Sequence, residues 1–153
     1  MKNIIYTTLF AVLLLSCSTN NPATIAAPIN ITPTLLLKGE LYGAGQENIL
    51  EQRTVIDNQT DFDNLQTQMS MVNNTLFPPT IAVNFATEKV IAVFSPVQNS
   101  GGHAINISNI VETNTEITVT VTSTSPQGFA TTVITQPYHV VKIPQTNKPI
   151  VFN

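Results

Sequence analysis

Cysteine is nearly absent from this chain of 153 residues, and the single one, Cys17, lies near the N-terminus. An intrachain disulfide is therefore impossible, and the fold must stand on its apolar core. Histidine is almost as scarce: His103 and His139 are the only two, which excludes a three-histidine zinc site. A site of two histidines and one carboxylate stays arithmetically open, but no carboxylate sits at a telling spacing to either. Charged residues make up 10% and the net charge is −3, with no basic patch to meet nucleic acid and no acidic run. No Gly-x-Ser-x-Gly or other nucleophile context surrounds any serine. No glycine loop leads into a helix N-terminus that could cradle phosphate. With Cys17 at the signal junction there is no catalytic thiol. These absences point away from catalysis and from any cofactor.

What is abundant is Thr, Asn, Ile and Val, the profile of a β-rich extracytoplasmic protein. Met1-Lys2-Asn3 is a short positive segment and Ile4 to Leu15 an apolar run. At about a dozen residues it is too short to span a bilayer, which needs roughly 20, and has the shape of a secretory signal. It ends in Leu14-Leu15-Ser16-Cys17, which resembles the bacterial lipobox. The resemblance implies removal of residues 1–16 and acylation of Cys17, and several acyl chains suffice for stable anchoring. Ser18 after the cysteine, by the sorting rule of enteric bacteria, points to the outer membrane of a bacterial cell envelope. Residues 17–33 are rich in Ser, Thr, Asn, Ala and Pro, and Pro22, Pro28 and Pro33 prevent helix, so this stretch reads as an extended tether. A single domain of residues 34–153 is expected to follow.

Within that domain Val90 to Phe94 shows no polar side and reads as a strand buried on both faces. Gly101-Gly102 follows, the only such pair, fit for a positive φ or for close approach to another chain. Leu35 to Leu41 and Glu51 to Ile56 are strand candidates, with a turn at Tyr42 to Gly45. Thr60 reads as the N-cap of a helix ending near Met71, with Phe62, Leu65 and Met69 on one stripe. Asp61 and Asp63 fit the helix dipole better than a metal site, because no further ligand stands at calcium-loop spacing. Pro78-Pro79 ends the following loop. Thr80 to Phe85 alternates like a half-buried strand. Ile105 and Ile107, then Ile117, Val119 and Val121 alternating with threonines, predict a hairpin around a turn at Glu112 to Glu116. Ser125-Pro126-Gln127-Gly128 is a loop and Ala130 to Thr135 a further strand. Pro137 interrupts before a strand at His139 to Ile143, and Ile150 to Phe152 closes the domain. The fold class is mainly β (a β-rich α+β domain): an antiparallel sandwich or roll of about eight strands with one short helix.

Several stretches are more specific. Val83-Asn84-Phe85, Val90 to Phe94, Ser100-Gly101-Gly102-His103-Ala104-Ile105, Pro137-Tyr138-His139-Val140-Val141-Lys142-Ile143-Pro144 and Lys148 to Phe152 together resemble the C-terminal domain of the PrcB family, protease-complex-associated bacterial lipoproteins. The resemblance covers roughly Thr54 to Asn153. It implies a non-catalytic, membrane-tethered module that docks or stabilises an extracytoplasmic protein, a surface serine protease being the family's case. The chain departs from the family's Thr-Gly-Gly-Tyr pattern, having Ser100 and His103 at the ends of that motif. A second reading is a protease-inhibitor-like or small-ligand module whose loops plug a cleft. The partner surface is expected where Ser100, Gly101, Gly102 and His103 meet Pro137, Tyr138 and His139, because an aromatic at a rim buries large area at low entropic cost. The alternative is that Gly102 permits a turn and Tyr138 packs.

Overall fold

A computed structural model of the chain describes residues 27–72 and 81–153. The expected signal segment, Cys17, most of the expected tether and Pro78-Pro79 lie outside the described residues. Among the described residues there are eight strands and one helix in two four-stranded sheets. The strands are β1 (Ile29–Asn30), β2 (Thr34–Leu41), β3 (Gln52–Ile56), β4 (Glu88–Phe94), β5 (Ala104–Glu112), β6 (Ile117–Thr124), β7 (Gln136–Pro144) and β8 (Ile150–Phe152), and the helix is α1 (Gln59–Ser70). One sheet has the order β1-β5-β6-β8 and the other β2-β7-β4-β3. The mainly β class and the single helix match the expectation.

The layering follows from the side-chain pattern. Val90, Ala92 and Phe94 of β4 pack with Val140 and Tyr138 of β7 against Phe62, Leu65 and Met69 of α1. Ile91 and Val93 turn the other way and meet Ile105, Ile107, Ile110, Ile117 and Val119 of the second sheet. The β4-β7 sheet is thus the middle of three layers, which is why Val90 to Phe94 is apolar throughout. Residues of the β5-β6 sheet alternate, leaving Thr122 and Ser108 to water. In β5 the buried positions step from Ile107 to Ile110, and the register shifts between Ile107 and Asn109. This bulge returns Ile110 to the core where strict alternation would have buried Asn109.

Some elements differ from expectation for identifiable reasons. The helix is capped by Asn58, whose side chain accepts from the Asp61 amide at 2.9 Å, while Thr60 lies inside the first turn. Residues 81–84 form no strand. Ile81, Val83 and Phe85 do pack on the core, with the Phe85 ring edge-on to Phe62 at 5.9 Å, so the alternation reports burial without a ladder. Residues 130–134 are irregular too, held by a hydrogen bond from the Gly101 amide to the Thr131 carbonyl and followed by an isolated bridge between Thr135 and Gln98. Pro137 lies within β7 and does not break it. It falls beside the end of β4, where its carbonyl accepts from the Ser95 amide at 2.9 Å and its missing N–H costs little. β8 pairs parallel with β6, so the sandwich is not wholly antiparallel. Ile29–Asn30, expected in the tether, pairs with Val111 and Glu112 of β5. Ile150 and Phe152 are half-buried against the second cluster.

The registers place the connections at two opposite poles. Glu88 pairs with Pro144, Thr34 with Lys142, and Glu112 with both Ile29 and Ile117, so the chain enters at this pole. Lys148 Nζ closes it through Glu112 at 2.7 Å. At the other pole lie the ends of β2 and β4, the starts of β5 and β7, and the loops of residues 42–51, 95–103 and 125–135.

Candidate interaction site

The Gly-Gly pair lies at the second pole, and its use there is close approach as well as turning. Gly102 has φ of +84°, and a Cβ built on it would come within 3.2 Å of Pro126. A Cβ on Gly101 would overlap Thr131 Oγ1 and come within 3.0 Å of Val133. The Gly101 amide also donates to the Thr131 carbonyl at 3.1 Å. Two glycines therefore form a saddle on which both feet of the loop, Pro126 and Thr131, are laid. Gly102→Ala meets both a positive φ and the Pro126 ring, and we expect it to cost roughly 1–2 kcal/mol, read as a lowered midpoint in a urea melt.

Further bonds tie the three loops together. Gln136 Nε2 donates to the Ile49 carbonyl at 2.8 Å and to the Ser95 carbonyl at 3.0 Å. Thr135 Oγ1 donates to the Ser100 carbonyl at 3.1 Å, and Val97 approaches Gly45. Around this framework Tyr42, Leu50, Val97, Phe129 and Ile134 are exposed.

The seven residues expected at the partner surface separate into two groups. Ser100, Gly102 and His103 are at least partly accessible on the pole, with Ser100 Oγ 3.1 Å from His103 Nε2, whereas Gly101 is buried under the loop. Among the described residues no carboxylate hydrogen-bonds His103, so the pair lacks the third group that orients a base toward a nucleophile. Pro137, Tyr138 and His139 are buried, and the premise that they stand at a rim fails. The cause is that β7 is an interior strand, flanked by β2 and β4 and covered on both faces. Tyr138 stacks at a tilt on Phe94, 6.0 Å between ring centres, and burial pushes its phenol up from the usual value. The residue that sequence reasoning missed is Phe129. Its only signal was an aromatic beside Gly128 in a polar loop.

His139 faces the second sheet. Its Nδ1 accepts from the Ile107 amide at 2.9 Å, a buried bond between the sheets just beside the β5 bulge. An accepting Nδ1 requires the neutral ring with its proton on Nε2. Burial, and then the charge of Lys38 directly opposite on β2, hold its pKa below the ordinary 6.5. Its other close neighbours, Val93 on β4 and Ile107 on β5, carry no charge. The unfolded chain therefore takes up the proton first as pH falls. The contribution of His139 is fully present above about pH 6.5 and is lost as pH drops from there through the folded value. We expect the melting temperature to fall between pH 7.5 and 5. His139→Gln, which keeps an acceptor but no titration, should show a smaller fall, and the difference is the share of His139.

At the opposite pole Glu88 accepts from Lys142 at 2.9 Å and from the Asn84 amide at 2.9 Å, and these bonds hold its carboxyl below the usual range. They fasten residues 81–84 to the sheet. Among the described residues no group of three or more His, Cys, Asp or Glu side chains could hold a metal ion.

The arrangement is a two-sheet β-rich domain with a helix on one face and a bonded cluster of loops at one end, two of which, 95–103 and 125–135, carry no Asp, Glu, Lys or Arg. Residues 89–144 match the family model described as PrcB C-terminal. The matched segment runs from Lys89 to Pro144 and comprises β5, β6, β7 and nearly all of β4, the interior strands of both sheets, with the whole Gly-Gly saddle and its loop. It is narrower than the resemblance from Thr54 onward, leaving β1, β2, β3, α1 and β8 outside. No curated protein and no solved structure matches the chain.

Proposed function

We propose that this chain is a membrane-tethered, non-catalytic module of the bacterial envelope that docks or stabilises an extracytoplasmic protein, a surface protease in particular. The observation that carries the reading is the family match, which spans the interior strands together with the saddle and its loop. Cys17 is the acylation site, held at the outer membrane, and the short remainder of the tether leads into β1. The docking surface is the loop pole around Ser100, Gly102 and His103. The test is capture of partners by the acylated protein, followed by mass spectrometry and peptidase assay. A peptidase among the specific partners, still active when bound, is the expected result. A peptidase bound but silenced would favour the inhibitor-like reading, in which the same loops fill a cleft. Wild-type protein that takes no acyl label would refute the anchor.

A further inference from the structure

The loop of residues 125–135 is built to hold one side chain away from the domain. Pro126 rests on Gly102 and Thr131 on Gly101, so both feet are fixed while residues 127–130 project between them. All four are exposed, and Phe129 is completely so. A free phenyl ring in water is unfavourable, and a two-footed mount lowers the entropy lost when the ring is captured. From Ser95 to Val141 the only charged residues are Glu112 and Glu116, and both stand at the hairpin turn on the opposite pole. The saddle and its loop thus present an aromatic ring with no Asp, Glu, Lys or Arg of their own.

From this we infer that Phe129 is the anchor this domain inserts into an uncharged, apolar pocket of its partner protein. The inference rests on the docking reading above and names the chemistry of the contact. A charged partner surface would be left with unpaired, desolvated charges against this loop, which disfavours it. A bilayer is the weaker occupant, because surface-seeking loops pair apolar tips with Lys or Arg for anionic headgroups, and these are missing here. The chain also enters the domain at the other pole, which leaves the Phe129 tip facing away from the tethered end.

The experiment places a photoreactive benzoylphenylalanine at position 129 of the full chain in its native host, with Thr115 on the opposite pole as control position. The expected result is an adduct from position 129, and not from 115, to apolar residues of a different protein. With the probe moved to Gln127, Phe129→Ala should lower that adduct at least tenfold while Phe129→Tyr keeps most of it. Unchanged melting temperatures would show that both variants fold. Adducts only to lipid, or only to a second copy of this chain, would overturn the inference. So would a protein adduct from position 115 and none from 129, although docking itself would then stand. Absence of a protein adduct from every exposed position tried would sink the docking reading and the anchor together.

Discussion

Phe94→Ala should destabilise the domain by about 3–5 kcal/mol, the range for removing a fully buried phenylalanine. Phe94 ends β4 and is 1% exposed, packed on the Tyr138 ring and among the residues that α1 covers. No flexible neighbour can refill the space, because β3 and β7 hold β4 on both sides. A loss of that size approaches the whole stability of a small domain. Chemical denaturation should show a midpoint far below that of the wild type. A loss under about 1 kcal/mol would mean that α1 does not seal this face.

Gln136→Leu should be the next most damaging change, at roughly 2–4 kcal/mol, because it strands two buried carbonyls at once. These are the acceptors Ile49 and Ser95, one from each of two loops that have no other bond to this side chain. The gain on the other side is small: Gln136 Oε1 is buried without a partner, and leucine removes that cost. The effect should appear in the denaturation midpoint and as faster amide exchange at residues 42–51 and 95–103, while α1 stays protected. Uniform acceleration over the whole domain would argue that Gln136 supports the core rather than the pole.

Much of this architecture is legible in the sequence, and the reasons differ from element to element. Val90 to Phe94 announced an interior strand because a layer covered on both faces cannot carry a polar residue. The β5-β6 hairpin announced itself through strict alternation against threonine. Residues 81–85 and 130–134 misled for one shared reason: alternation records which side chains are buried, and a strand also needs a neighbour with free amides and carbonyls. The site was harder. The Gly-Gly pair suggests a positive φ or close approach to another chain; Gly102 does have positive φ, but what approaches is this chain's own loop, the one carrying Phe129. Tyr138 and His139 looked like rim residues because Pro137 suggested an interrupted strand. Their burial depends on β2 and β4 flanking β7, a long-range pairing that no local pattern records. His139 shows this best, since its buried bond is to Ile107, 32 residues earlier in the chain.

The central claim is that the loop pole is where this domain meets its partner. Its most direct measurement is a difference map of amide hydrogen exchange between the free domain and the domain bound to the partner recovered in the capture experiment. The account predicts added protection at residues 97–103 and 126–134, strongest beside Phe129, with little change in α1 or at residues 113–116 and 145–149. Protection confined to the threonine-bearing face of β6, or to the pole where the chain enters, would contradict it.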